Sequence, residues 1–385
     1  MSYTRREFGK LAIAGVPAAF MGGPASMLNA LAQAKPNSLI DGVQIGAITY
    51  SFRSMPDQSA EATLKYVVES GISAIELMGG PVESFAGAPA PAGRGARGGR
   101  GAAARGAPGA APAAAARGAA PGAPAPELTG SWNGQPCALP QQGRGGQAGA
   151  GAGRGGARGG MTPEQRAAQQ EQAERLRAWR RSVSMDRFRA LRKMYNDAGV
   201  TIYAWKQLST SMSDEELEYV FNVAEVLGCT HTTLELPTDA AQLKRIGAFA
   251  EKKKIYAAYH THLQGTMTAF DEAFALSNGN MANVDLGHWV AAGNLGGTPM
   301  QFLEKHHDRI SSFHLKDRTR PENCALNLPW GTGETPLREI LLLVKKNRWA
   351  IPATIELEYQ IPEGSDAVRE VRKCVDYCRQ ALTSA

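Results

Sequence analysis

Phe313-His314-Leu315-Lys316-Asp317-Arg318 is a short apolar run that stops on a histidine, a lysine and an aspartate, and four other segments are built alike. They are Thr233-Leu234-Glu235, Tyr259-His260-Thr261-His262, Val284-Asp285-Leu286-Gly287-His288 and Ile355-Glu356-Leu357-Glu358. Carboxylates and imidazoles are costly to bury unless they are paired or bind a metal. Repeated five times, that cost points to an oxygen- and nitrogen-ligated metal site rather than ordinary core. His231, His260, His262, His288 and His314, five of the seven histidines, lie in or beside these runs.

Around them the chain alternates short β-type runs with longer helical ones. Strands are expected at 43–50, 74–77, 201–205, 232–236, 255–260, 282–286, 310–315 and 353–357. Helices are expected at 60–69, 185–198, 214–227, 239–253, 298–307, 336–346 and 367–381, with a short irregular connection at 268–277. The charged run 162–181 reads as an extension of the helix that follows it. Ser213, Thr238 and Ser365 stand where N-caps belong, and Gly71, Gly199 and Gly228 where left-handed terminators belong. Strict alternation argues for a parallel sheet. No glycine-rich fingerprint follows the first strand, so closure into a (β/α)8 TIM barrel over residues 40–382 is the expected fold. Strand ends converge over one mouth in that fold, which turns the five segments into one site.

Two stretches stand outside the barrel. Residues 1–34 carry Arg5-Arg6 ahead of a moderately apolar run and end in Ala32-Gln33-Ala34, the order of a twin-arginine export signal. The expectation is passage through the twin-arginine translocation machinery to a bacterial periplasm or beyond, with no stable membrane anchor. Residues 86–160 are almost wholly Gly, Ala, Pro and Arg and are expected to form a disordered insert after strand two, with little to bury. Its eight arginines and single Glu127 contribute +7 of the chain's +6, leaving −1 elsewhere. The basic character is therefore the insert's. The barrel itself is mildly acidic, so no nucleic-acid partner is expected, since such binding needs phosphate-neutralising charge. The five cysteines show no disulfide framework, with Cys137 inside the low-complexity stretch and Cys374 and Cys378 one turn apart on a helix.

Taken together, Val284-Asp285-Leu286-Gly287-His288-Trp289, Phe313-His314-Leu315-Lys316-Asp317-Arg318 and Thr354-Ile355-Glu356-Leu357-Glu358-Tyr359 resemble the xylose-isomerase-like superfamily of sugar isomerases and epimerases, which includes AP-endonuclease-type enzymes. The resemblance implies Asp285, His314 and Glu356 as metal ligands. On strand five, where epimerases of the family carry a further glutamate ligand, this chain has His260-Thr261-His262, similar to an exported branch of the superfamily. His262 is the candidate fourth ligand, with His260 and Glu235 as alternatives. Mixed carboxylate and imidazole ligands suit Mn, Mg, Co, Fe or Zn.

The chemistry such a site supports is proton removal beside a carbonyl of a sugar or keto-sugar through an enediolate, giving isomerisation or epimerisation. Glu356, Glu235, His260 and Lys316 are the candidate catalytic residues. His288, Asp317 and Glu358 are candidates for orienting them, with direct ligation an equal alternative for His288 and a surface ion pair to Arg318 the alternative for Asp317. Metal-dependent cleavage of 3-keto-glycosides and non-catalytic sugar binding are the competing functions, and assembly into a homo-oligomer is an open expectation. The glycine-rich run Trp330–Glu334 reads as a tight connection, His231 as structural and His306-His307 as solvated.

Overall fold

Eight parallel strands close into a ring in the computed structural model, which describes residues 35–90, 128–138 and 162–384. They are β1 (Val43–Ile48), β2 (Ala74–Met78), β3 (Thr201–Lys206), β4 (His231–Glu235), β5 (Tyr256–His260), β6 (Asn280–Asp285), β7 (Ile310–Leu315) and β8 (Ala353–Ile355). Each pairs with its sequence neighbours, and Ala353 of β8 lies opposite Ile45 of β1, which closes the TIM barrel. A two-residue strand, Leu39–Ile40, pairs antiparallel with the start of β1. Because helices cover the outside and side chains fill the inside, the strands read as nearly continuous apolar runs.

The helices follow from spacing and caps. Helix Asp214–Leu227 buries Leu217, Val220, Phe221, Ala224 and Leu227, one face at intervals of three and four. Ser213 and Glu216 close a capping box at its start, and Gly228, at φ 81°, ends it. Two expected caps shift by one residue. Asp239 accepts from the Ala241 amide at 2.8 Å, and Asp366 from Arg369 at 2.9 Å, in place of Thr238 and Ser365. The carboxylates sit at the non-helical position where a side-chain oxygen reaches the first free amides. The connection expected to be irregular holds a short helix, Asp271–Leu276. The run after the insert forms its own helix, Pro163–Ser182, separated from Asp186–Asp197 by extended Val183.

The expected signal 1–34 and most of the expected insert lie outside the described residues. Within the insert, residues 128–138 depart from expectation. They form a hairpin of Leu128–Trp132 and Gln135–Ala138, turned by Asn133 and Gly134 at φ 48° and 76°. Cys137 is disulfide-bonded to Cys324, against the reading that the cysteines make no framework. Cys229, Cys374 and Cys378 are free and buried.

Both flanks of the insert are tied to the barrel by one buried cluster. Arg180, on Pro163–Ser182, donates to Glu83 on Gly79–Ala86 at 2.8 Å and to Glu216 at 2.8 Å, and Tyr219 donates to Glu83 at 3.1 Å. Replacing Arg180 by alanine leaves Glu83 without its cation, while Glu216 keeps Arg177 at 3.5 Å. The expected cost is about 3 kcal/mol, at the lower end for breaking a buried pair, read from urea unfolding. Among the described residues no helix is long and apolar enough to cross a membrane.

Candidate metal centre

Asp285 is the last residue of β6 and also the N-cap of helix Leu286–Ala291. Its Oδ1 accepts from the His288 amide at 2.7 Å, which leaves Oδ2 buried and facing the site, with the Lys316 ammonium at 2.9 Å. That double duty explains the Asp-x-x-His spacing: the third helical residue supplies the amide and brings its imidazole back over the strand end. Directly opposite it in the next strand, His314 of β7 points into the same space. Its Nδ1 lies 2.9 Å from Glu356 Oε2 and 3.9 Å from Asp285 Oδ2.

Glu76, in the middle of β2 and fully buried, accepts from His314 Nε2 at 2.8 Å and from Thr233 Oγ1 at 2.7 Å. It also accepts from Asn283 Nδ2 at 3.3 Å. The Asn283 Oδ1 lies 2.9 Å from His260 Nδ1, which makes Nδ1 the protonated nitrogen of His260 and leaves Nε2 bare. Ser312 links Asn283 to His231, at 2.7 and 2.9 Å, so His231 is structural as expected. Glu76 and Asn283 thus orient the two imidazoles from beneath, as carboxylates and amides do behind metal-bound histidines.

Among the described residues, one atom each from His260, Asp285, His314 and Glu356 lies within 4.8 Å of all the others. Ligands about 2.1 Å from a common ion stand roughly 3 Å apart at right angles and roughly 4 Å apart when opposed. The 2.9 and 3.9 Å spacings match. The buried Asp285 oxygen, the oriented imidazoles and the mixed donor set all fit a divalent ion.

Charge balance agrees. The Lys316 ammonium lies 2.9 Å from Asp285 Oδ2, 2.7 Å from Glu356 Oε2 and 2.7 Å from Glu358 Oε2. Burial pulls the His314 imidazole down, but Glu76 and Glu356 outweigh it and push it up to about 10. Burial likewise raises the Glu76 carboxyl, and the His314 charge overrides that to hold it near about 2. For Glu356 burial is again opposed and overcome, here by Lys316 and His314, which keep the carboxyl well below its usual range. Asp285 is raised, burial outweighing Lys316. The pocket draws positive charge to these oxygens, and a cation held there would take the place of the His314 proton.

The remaining sequence candidates divide. Glu235 and His262 sit at the half-exposed rim, His262 Nδ1 lying 3.1 Å from Glu235 Oε2. The buried group of four includes His260, and His262 stands outside it, in a second group with His260 and His288 that could also hold an ion. β5 ends at His260, so strict alternation no longer governs His262. Glu358 shares Lys316 with Glu356, so both face the mouth. Lys206, at the end of β3, is 3.3 Å from Glu235 and belongs to the rim although nothing in the strand-end reading singled it out.

Asp317 and Arg318 do not pair with each other. Asp317 turns away from the mouth and accepts from the amides of Gly331, Thr332, Gly333 and Thr335 at 2.8 to 3.2 Å, so the glycine-rich run is a connection latched by a carboxylate. Arg318 contacts His288 Nδ1. His306, expected to be solvated, is half-buried against Phe274 and Phe302, while His307 is exposed and stacks on Trp349.

Gly287 admits Lys316 to the site, since a Cβ there would lie 2.3 Å from Lys316 Cγ and 2.6 Å from Lys316 O. The carbonyl belongs to β7's continuation and cannot swing aside. Gly287→Ala is therefore expected to destabilise the fold by about 1–3 kcal/mol and to lower activity by displacing the ammonium, read from paired unfolding and rate measurements.

No family model and no curated protein matches this chain. It is similar to a sugar phosphate isomerase/epimerase from Parabacteroides distasonis, with 13% identity, 91% of this chain and 97% of that one covered, and a TM-score of 0.49. It is also similar to a xylose isomerase domain protein from Alicyclobacillus acidocaldarius, with 12% identity, 88% and 99% covered, and a TM-score of 0.49. An L-ribulose 3-epimerase matches with 11% identity, 89% and 95% covered, and a TM-score of 0.47.

Proposed function

We propose that the protein is a divalent-metal-dependent sugar isomerase or epimerase that moves a proton beside a carbonyl. The observation that carries this is the buried His260–Asp285–His314–Glu356 set, with its two imidazoles oriented by Asn283 and Glu76 and carboxylates at its rim. A divalent ion held by that set would polarise a carbonyl and its neighbouring hydroxyl, lowering the cost of removing the proton between them.

The protein's own groups supply the rest. Glu235 is half-exposed on β4, and partial burial raises its carboxyl less than the His262 hydrogen bond and the Lys206 charge lower it, so it stays ionised and ready to accept a proton. Glu358 follows β8, on the other side of the ring from β4. Two carboxylates approaching from opposite sides suit removal of a proton from one face of a carbon and return to the other. Lys316 donates to the oxygen on which negative charge develops. His260, a sequence candidate for the base, serves instead as a ligand, because its one bare nitrogen belongs to the buried set.

Export through the twin-arginine machinery to the periplasm or outside is part of the proposal. The Cys137–Cys324 disulfide supports it, since such bonds persist in oxidising compartments. The test is incubation of the metal-loaded full chain with keto-sugars and 3-keto-glycosides in D₂O, followed by NMR. Deuterium entering at carbon without cleavage is the expected result. Release of an aglycone identifies elimination instead, and no exchange with any of these substrates refutes the proton-transfer chemistry.

A further inference from the structure

β1 and β8 stop short of their expected ends, at Ile48 and Ile355. Both shortenings have one cause. After Ile48 the chain leaves the sheet in a tight helical turn, Thr49–Phe52, so the pairing of β8 with β1 ends at Ile355 and Ala47. The segment that loses its partner is Glu356-Leu357-Glu358, which carries one carboxylate of the buried set and one of the rim. Glu356 and Leu357 are buried, and buried backbone groups need partners.

Side chains of the turn supply them. Ser51, 1% exposed, accepts from the Leu357 amide at 3.0 Å and donates its hydroxyl proton to Ile355 O at 3.3 Å. One hydroxyl can replace both backbone groups of a strand neighbour, because it donates once and accepts as well. Arg53 Nη1 donates to Leu357 O at 2.6 Å and to Tyr50 O at 3.2 Å, and its guanidinium lies 4.3 Å over the Tyr50 ring. On the other side the link to β7 continues in the backbone, the Glu356 amide donating to Leu315 O at 3.0 Å. Thr49 does the same for β2, accepting from the Met78 amide at 3.0 Å. Residues 356–358 thereby keep the alternation of a strand beyond the end of β8. Leu357 is in the core, and both glutamates meet Lys316 at 2.7 Å.

We propose that Ser51 and Arg53 are positioning residues for Glu356 and Glu358, standing in for the strand partner that β8 loses where β1 turns away. Both act through the backbone of Ile355 and Leu357 rather than on a substrate. The proposal deepens the proposed function and rests on it for what the two carboxylates do.

The test is read first without metal or substrate, as amide hydrogen exchange of the full chain followed by NMR. Ser51→Ala is expected to speed exchange of the Leu357 amide by about tenfold or more, since that amide loses its acceptor. The amides of β6 should be unchanged, as a check that the barrel is intact. The second reading is the visible spectrum of bound Co²⁺ and the rate of deuterium incorporation into a keto-sugar, both at saturating metal. Ser51→Ala and Arg53→Met are each expected to shift the spectrum and to lower the rate by about 10- to 100-fold. Ser51→Thr and Arg53→Lys keep the hydroxyl and a donor, and are expected to restore both readings. Arg53 is exposed, so its variants serve even where a Ser51 variant fails to fold. Leu357 amide exchange indifferent to Ser51→Ala overturns the stand-in. A wild-type spectrum and rate in Ser51→Ala and Arg53→Met overturns the positioning role, since a residue that only stabilises the fold moves neither. Failure of the proposed function shows differently, as a wild type that takes up no Co²⁺ and incorporates no deuterium whatever Leu357 does.

Discussion

Replacing Glu76 by alanine is expected to destabilise the protein by about 3–5 kcal/mol and to weaken metal binding by about 10- to 100-fold. The carboxylate is fully buried and receives hydrogen bonds from His314, Thr233 and Asn283. Removing it strands the charge on His314 between one remaining carboxylate, Glu356, and an empty space. It also frees Asn283, which holds the His260 ring. Glu76→Gln keeps the shape and an acceptor oxygen but not the charge, so its fold should suffer less than its metal affinity. Urea unfolding and calorimetric metal titration separate the two effects. Equal losses in stability for alanine and glutamine, with metal affinity unchanged, would make Glu76 a packing residue only.

Asp285→Asn is expected to lower turnover by about a thousandfold, corresponding to about 4 kcal/mol of lost transition-state stabilisation. The amide keeps an oxygen to cap helix Leu286–Ala291, as Asp285 Oδ1 does with the His288 amide. The fold should therefore survive, and the loss falls on the oxygen facing the site, now an uncharged group beside Lys316. Glu356→Gln is expected to act in the same way but to disturb both His314 and Lys316, at 2.9 and 2.7 Å. Rates measured with the substrate found by deuterium exchange, at saturating metal, give the comparison.

The strand ends were legible because they break a local rule: an apolar run that stops on a carboxylate or imidazole announces a group that must be paired or ligated. The eight strands follow from the same runs, and their edges shift by at most two residues. Glu76 escaped notice because it lies inside its run, Ala74-Ile75-Glu76-Leu77-Met78, one layer below the mouth. A charged residue in the middle of a strand bears the same cost as one at its end and carries the same message. Lys206 ends its strand on an ammonium, which is not a metal ligand and so carries no such signal. That His260 is buried and His262 lies at the rim depends on where β5 ends, which alternation alone does not locate.

Asp317 misled for a related reason. It follows the strand-end pattern of its neighbours, but its oxygens are consumed by four amides of the next loop, a partner that only the folded chain brings near. In the insert, Trp132-Asn133-Gly134-Gln135 was a usable hairpin signal hidden by the composition around it. Its disulfide joins residues 187 positions apart, a pairing that spacing does not reveal.

The most direct measurement of the metal centre is a calorimetric titration of the dialysed full chain with Mn²⁺ or Co²⁺, run beside Asp285→Asn. Binding of one ion per chain to the wild type, abolished or weakened at least a hundredfold in the variant, is the expected result. No binding to the wild type, or equal binding to both proteins, would show that His260, Asp285, His314 and Glu356 are a buried polar cluster and not a metal site.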